Sequence, residues 1–214
     1  MTSTFSLHRY QIFLNDRALF QPIDIELEST QILAITGASG SGKSTIMADI
    51  SGVLAPVFRS RGEIHLNQQD LRALPIEQRK VGLLFQDDLL FPHLNVYENL
   101  AFGLPARLSK DQKNERICKA LTEANLADYD QRDIATLSGG QRARIALLRT
   151  LLSAPDLILL DEPFSKLDKT LRDQFRHWVY QQIAQLNIPT VLVTHDKDDI
   201  PEHSCIINLE SDHA

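Results

Sequence analysis

The stretch AITGASGSGKSTIMADISGV at 34–53 sets four residues between Gly37 and Gly42-Lys43-Ser44. Glycines let backbone N–H groups turn inward and approach a phosphate closely. A helix beginning near Lys43 would add the positive end of its dipole. In the G-x-x-x-x-G-K-[ST] pattern the lysine reaches the terminal phosphates and the hydroxyl holds a magnesium ion. A flexible turn of chance composition is the competing reading. The apolar run ILAIT before the turn and the helical spacing of STIMADISGVL after it favour the phosphate cradle.

A second turn of the same kind lies at LSGGQRAR, 137–144. Ser138 and Gln141 match a capping box, in which each side chain satisfies the other residue's backbone N–H. Gly139 and Gly140 would leave bare N–H groups at that helix start, which is again an anion site. An ordinary capped helix is the alternative. Four further residues stand at the ends of apolar runs: Gln86 after VGLLF, Asp161-Glu162 after LILL, and His195 after TVLVT. Ligands of open α/β sheets gather at the carboxyl ends of strands. A carboxylate there can serve as general base if a water sits within hydrogen-bond reach. Taken singly, an acidic pair after a strand could be a helix cap, and a histidine there could be structural.

These groups need a frame to hold them. FSLHRYQIFL and IDIEL (23–27) alternate loosely, as half-buried antiparallel strands do. GEIHLNQQDL reads as a strand ending in a polar turn, while ILAIT, VGLLFQ (81–86), LILLDEP and TVLVTHD (190–196) read as buried strands. The stretch 108–126 carries Ile117, Ala120, Leu121 and Ala124 as one apolar stripe among charges, which predicts a helix. Helices are also expected over 141–154, stopped by Pro155, and over KTLRDQFRHWVYQQIAQLN. Strands alternating with helices predict a mostly parallel α/β sheet, joined by an N-terminal antiparallel β part and interrupted by a helical insert.

The chain has 214 residues, enough for one sizeable domain, with 43% hydrophobic and 23% charged residues. A net charge of −6 argues against a general nucleic-acid binder. No basic-then-apolar leader opens the sequence, and no apolar run approaches membrane-spanning length. Cys118 and Cys205 form no metal or redox motif, so reduced thiols in a cytosolic chain are expected. Any membrane role must come through a partner.

LSGGQ together with GASGSGKST and LILLDEP, in that order, resembles the ATP-binding cassette family, the ATPase subunits of ABC transporters. The resemblance runs from about residue 5 to 209. It implies a P-loop NTPase fold in a single ABC ATPase domain: residues 1–86 and 155–214 form a RecA-like core with its antiparallel part, and about 87–154 form a helical subdomain that includes the signature helix. It implies ATP and Mg²⁺ as ligands. Gly37, Ala38, Ser39, Gly40, Ser41, Gly42, Lys43, Ser44 and Thr45 would wrap the phosphates of one copy. Leu137, Ser138, Gly139, Gly140 and Gln141 of a second copy would close over them, giving a head-to-tail homodimer with two nucleotides buried between the chains. By the same resemblance Ser44, Gln86 and Asp161 hold the metal, Glu162 polarises the attacking water, and His195 contacts the γ-phosphate. Asp168, in SKLD at 165–168, acts across the dimer interface unless that stretch is a plain polar turn.

Several positions depart from the family pattern. The aromatic residue that the family stacks on adenine falls, by ungapped counting, on Leu14, with Phe13 beside it and Tyr10 nearby. Either Phe13 swings in or an aliphatic face replaces the stack. Thr30-Gln31 stand where a Gly-Glu turn is usual, and GVLAPVFRSRGEI at 52–64 is slightly longer than typical. None of these removes a catalytic group. LFQDDLLFPHLNVYENLAFGL at 84–104 resembles importer cassettes, in which Leu89, Leu90, Phe91 and Tyr97 would line a groove for a permease helix, core of the insert being the alternative for about half of them. DYDQRDIAT, ahead of LSGGQ, lacks the Glu-Arg-Gly loop of exporters. The expectation is an ATPase peripheral to the cytoplasmic face of the cell membrane, bound to permease subunits and energising import. An efflux or lipid-extraction ATPase shares every catalytic residue and stays open. A non-transport cassette is disfavoured, because such relatives carry long inserts or paired cassettes that this sequence lacks.

Overall fold

The computed structural model describes residues 3–209, and these divide into two compact units. The first holds the described residues of Met1–Leu83, Asp156–Glu162 and Tyr180–Ala214. The second holds Leu84–Pro155 and Pro163–Val179. In chain order the first unit begins with β1 (Phe5–Leu14), β2 (Arg17–Ala18), β3 (Ile23–Leu27), β4 (Ile32–Gly37), α1 (Lys43–Ser51), β5 (Phe58–Leu66) and β6 (Gln69–Asp70). Strands β1, β2, β3, β5 and β6 form an antiparallel sheet in the order β2-β1-β5-β6, with β3 also on β1.

The loose alternation of β1 has a local cause. Its pairing shifts between Leu7 and Tyr10 against β3, and between His8 and Gln11 against β5. Arg9 takes a left-handed φ of 48° at this bulge, and its N–H donates to Asp24 Oδ1 at 2.9 Å. The extra residue resets the two-residue period, so Phe5 and Leu7 before it and Tyr10 and Ile12 after it all face the core.

The second sheet has the order β10-β4-β9-β8-β7, built from β7 (Val81–Leu84), β8 (Leu157–Asp161), β9 (Thr190–Val193) and β10 (Cys205–Leu209). β10 with β4, β4 with β9, and β8 with β9 pair in parallel. β4 and β8 carry unbroken apolar runs because each has a neighbour on both sides: Leu33, Ala34 and Ile35, and Leu157 to Leu160, are wholly buried. This is the mixed α/β, P-loop architecture expected from the sequence. Two strands are shorter than expected. β7 ends at Leu84 and β9 at Val193, so Gln86 and His195 lie in the turns beyond the strands rather than at their last positions.

The phosphate-loop helix α1 is fastened at its far end. Arg79 Nη1 donates to the Asp49 and Ile50 carbonyls at 2.9 and 3.0 Å, a cation where the helix dipole is negative. The buried Tyr10 hydroxyl donates to Asp49 Oδ2 at 3.0 Å. Burial first, and then the Asp49 charge, hold the Tyr10 phenol well above its ordinary range.

In the second unit α2 (Val96–Gly103), α3 (Lys110–Glu123) and α4 (Gly139–Leu152) each open on a complete capping box, set by Asn95/Glu98, Ser109/Gln112 and Ser138/Gln141. Buried Asn99 donates to the Phe91, Leu94 and Asn95 carbonyls and accepts from the Phe91 N–H, which stitches the turn ahead of α2. The last helix, α5 (Lys169–Leu186), contributes residues 169–179 to this unit, where Phe175 lies edge-on to Phe164 and stacked on Trp178.

Replacing Tyr10 by Phe leaves the buried Asp49 carboxylate without its phenol donor. Urea unfolding should show a loss of about 1–3 kcal/mol. Because the folded phenol titrates above the unfolded one, its contribution holds at neutral pH and is lost from about pH 10 upward. The gap between wild type and Y10F should therefore narrow there, and an equal midpoint at pH 7 would contradict the assignment.

Candidate nucleotide site

At the end of β4 the chain has no room for a side chain. A Cβ on Gly37, whose φ is 143°, would lie 2.5 Å from the Leu209 carbonyl oxygen and 2.9 Å from Ser41 Oγ. The loop then rises to Gly42, which enters α1 at φ 99° with no side-chain cap and no acidic residue in the first turn. The positive end of α1 is therefore left bare, as a phosphate site requires. Lys43 Nζ arches over the loop and donates to the Gly37 and Ala38 carbonyls at 2.9 and 2.8 Å. Ser41 Oγ is buried and has no hydrogen-bond partner among the described residues.

The acidic side comes from β8. Asp161 is its last residue and pairs in register with Val193 of β9. Burial, and after it the Glu162 charge, raise the Asp161 carboxyl above the usual carboxylate range, while a hydrogen bond from Ser44 and the Lys43 ammonium act in the opposite direction. Glu162 turns the chain in the left-handed region, at φ 46°, with its N–H on the Val193 carbonyl at 2.9 Å. That turn brings its Oε1 to 3.3 Å from His195 Nδ1.

Of these groups Gly37, Gly42, Lys43, Glu162 and His195 meet around one cavity of about 620 Å³, within the range of small-molecule sites. Lys43, Ser44, Thr45, Glu162 and His195 give it a polar lining, and Leu14, Leu19 and Phe58 an apolar one. Leu14 and Phe58 are direct cross-strand partners on β1 and β5. Phe13 does not line the cavity. Its neighbouring position on β1 points it to the other face of the sheet, where the Arg61 guanidinium lies 4.7 Å from its ring centroid. Phe58 went unnoticed in the sequence because its place depends on a register between distant strands. Its only local hint was the lengthened segment 52–64.

The remaining predicted residues lie in the second unit. Ser138 Oγ accepts from the Gln141 N–H at 3.3 Å, and Gln141 Oε1 accepts from the Ser138 N–H at 2.9 Å. Gly139 has open space where a Cβ would be, whereas one on Gly140 would strike Leu171. Leu137 is buried. Gln86 Nε2 donates to Ser165 Oγ at 3.2 Å, and Asp168 accepts from the Leu171 N–H at 3.1 Å, capping α5.

For a magnesium ion, the first unit offers the Ser44 hydroxyl beside the Asp161 carboxylate. Among the described residues no cluster of three or more His, Cys, Asp and Glu could hold a metal. A hard cation that shares its shell with phosphate oxygens and water fits so sparse a donor set.

A bare helix end behind a glycine loop, placed between a central parallel strand and an acidic strand end, defines a P-loop nucleotide-binding α/β protein. The ABC transporter family model matches residues 20–165. A protein of Escherichia coli (strain K12) described as an uncharacterized ABC transporter ATP-binding protein, YnjD, is 44% identical over 196 residues, which cover 92% of this chain and 90% of the relative. The chain belongs to the ABC transporter family and is an ATP-binding member of it.

The crowding at Gly37 makes a direct prediction. Gly37→Ala must push the Leu209 carbonyl aside and hold alanine at a left-handed φ, so it should lower stability by about 1–3 kcal/mol in urea unfolding. An unchanged midpoint would mean that the end of β4 is looser than described.

Proposed function

We propose that this chain hydrolyses MgATP in a head-to-tail pair of copies and thereby energises a membrane permease. The observation that carries the reading is the cavity on which Lys43, Ser44, Glu162 and His195 converge. Lys43 leaves the Gly37 and Ala38 carbonyls for the β- and γ-phosphates, and the loop N–H groups and the α1 dipole hold the rest of the chain of phosphates. Ser44 and Asp161 would hold Mg²⁺, and the ion would supply positive charge against the negative charge of the phosphates. Glu162 accepts a proton from the attacking water as the new P–O bond forms and the bond to the β-phosphate oxygen breaks, leaving ADP and inorganic phosphate. His195, against Glu162 Oε1, orients that carboxylate and faces the γ-phosphate. Positioning and charge supply most of the rate in such chemistry. The Leu137–Gln141 turn of the second copy closes the site, with Asp168 working across the same interface. Hydrolysis then removes the bridge between the copies.

The permease side of the reading is supported by an apolar patch on the second unit. Leu89 is 53% and Phe102 70% exposed, and Phe102 lies edge-on to Phe91 at 4.7 Å. Among the described residues no helix is long and apolar enough to cross a membrane, so the reading places contact with the membrane in the permease. Import rather than export rests on the resemblance of residues 84–104 to importer cassettes and on the missing Glu-Arg-Gly loop.

Glu162→Gln should lower turnover by about 10²- to 10⁴-fold while ATP binding survives and ATP-bound dimers accumulate. Normal turnover by this variant would remove Glu162 from the chemistry. The apolar lining around Leu14 and Phe58 suits the adenine ring, and an aromatic stack on a base is worth about 1–3 kcal/mol. Phe58→Ala should therefore weaken ATP binding about 5- to 150-fold by titration calorimetry. Phe13→Ala should leave it unchanged; the reverse ranking would return the base to Phe13.

A further inference from the structure

Arg142 lies in the first turn of α4, immediately after the Ser138–Gln141 turn. Its Nη1 donates to the Leu137 carbonyl at 3.0 Å and its Nε to Asp88 Oδ2 at 2.9 Å. The Leu137 carbonyl and the Ser138 N–H belong to one planar peptide unit. That plane is thus gripped on both edges, by Arg142 at the oxygen and by Gln141 Oε1 at the N–H. Gln141 is itself anchored, since its Nε2 donates to the Tyr129 hydroxyl at 3.0 Å, and Arg132 covers the Tyr129 ring at 3.7 Å.

The other end of the Arg142 link is the loop that follows β7. Asp88 stands two residues past Gln86, and Asp87 between them pairs with Lys166, beside the Ser165 hydroxyl that accepts from Gln86. Arg149, two turns further along α4, donates to the Leu89 carbonyl at 3.0 Å. The side chains of Arg142 and Asp88 are only 37% and 31% exposed, which limits competition from water. Only a guanidinium offers two N–H groups in the fixed fork that spans a carboxylate and a carbonyl at once.

We infer that Arg142 is a positioning residue, which ties the orientation of the 137–138 peptide, and with it the signature turn, to the loop carrying Gln86. It touches no reacting atom. Phe85 and Leu89, on the same loop, are exposed. The inference rests on the proposed pairing of two copies around ATP, because the turn acts only on the partner's nucleotide.

The test uses full-length chains carrying Glu162→Gln, with sedimentation velocity to follow dimer formation on adding MgATP and a fluorescent ATP analogue to follow nucleotide binding. Arg142→Ala and Asp88→Ala should each weaken ATP-dependent association about tenfold with nucleotide affinity unchanged, and the double variant should be no worse than Arg142→Ala alone. Arg142→Lys keeps the charge but not the fork and should still weaken association, which covers the case in which the alanine variant folds poorly. Association as tight as the parent's, or single effects that add in the double variant, would overturn the positioning role. A parent that binds the analogue yet stays monomeric would overturn the two-copy reading itself, and this role with it.

Discussion

The close approach of backbone to backbone at Gly37 is the constraint on which the nucleotide site depends. β4 runs between β10 and β9 and delivers the chain to a point where the Leu209 carbonyl and Ser41 leave no space for a Cβ. The chain leaves that point through a loop of small residues that ends in α1, whose first turn has no side-chain cap and no acidic residue. The helix is then held from behind, by Arg79 on its final carbonyls and by Tyr10 on Asp49. A bare, positively poled helix end is thus kept rigid by groups that never approach the phosphates. This arrangement presents the positive end of the helix dipole where an anion would sit.

The two units divide the work by type of contact. The first gathers charge: Lys43, the α1 terminus and the Glu162–His195 pair share one cavity, and the half-buried Asp161, beside Ser44 and Glu162, is raised by burial. The second gathers connections. Its Gln86, Asp87 and Asp88 reach Ser165, Lys166 and Arg142 in turn, so that one short loop addresses both the turn before α5 and the turn before α4. Arg132, Tyr129 and Gln141 brace the far side of that last turn. Polar links of this kind are geometric rather than strongly stabilising at partly exposed positions.

What could be read from the sequence follows from how far apart the deciding residues lie. The phosphate loop and the Ser138–Gln141 box are set within a few neighbouring residues, and the buried parallel strands are continuous apolar runs, so pattern alone reveals them. The antiparallel start was also legible, although its broken period needed the bulge at Arg9 to explain it. The apolar wall of the cavity was legible only in part. Leu14 and Phe13 were both candidates, and nothing local says that Phe13 turns away beneath Arg61 while Phe58 arrives from another strand. The ends of β7 and β9 were overestimated because Phe85 and Thr194 extend the apolar or β-branched run past the last ladder pairing. The helix at Val96–Gly103 escaped notice because it is short; its capping box is plain only once the helix is known. The Arg142 link was invisible for the same reason as Phe58, since Asp88 and Leu137 are distant in the chain.

The central claim is that the signature turn of one copy covers the phosphate loop of another. It is tested most directly by crosslinking across that contact. In chains freed of Cys118 and Cys205, one carrying Ser39→Cys is mixed with one carrying Ser138→Cys, both positions being exposed in the single chain. A short bis-maleimide is then added with and without MgATP, and the product is resolved by denaturing electrophoresis. The account predicts a crosslinked dimer that forms in the mixture, depends on ATP and is absent from either chain alone. A mixture that binds ATP and yields no such product, or the same product without nucleotide, would contradict it.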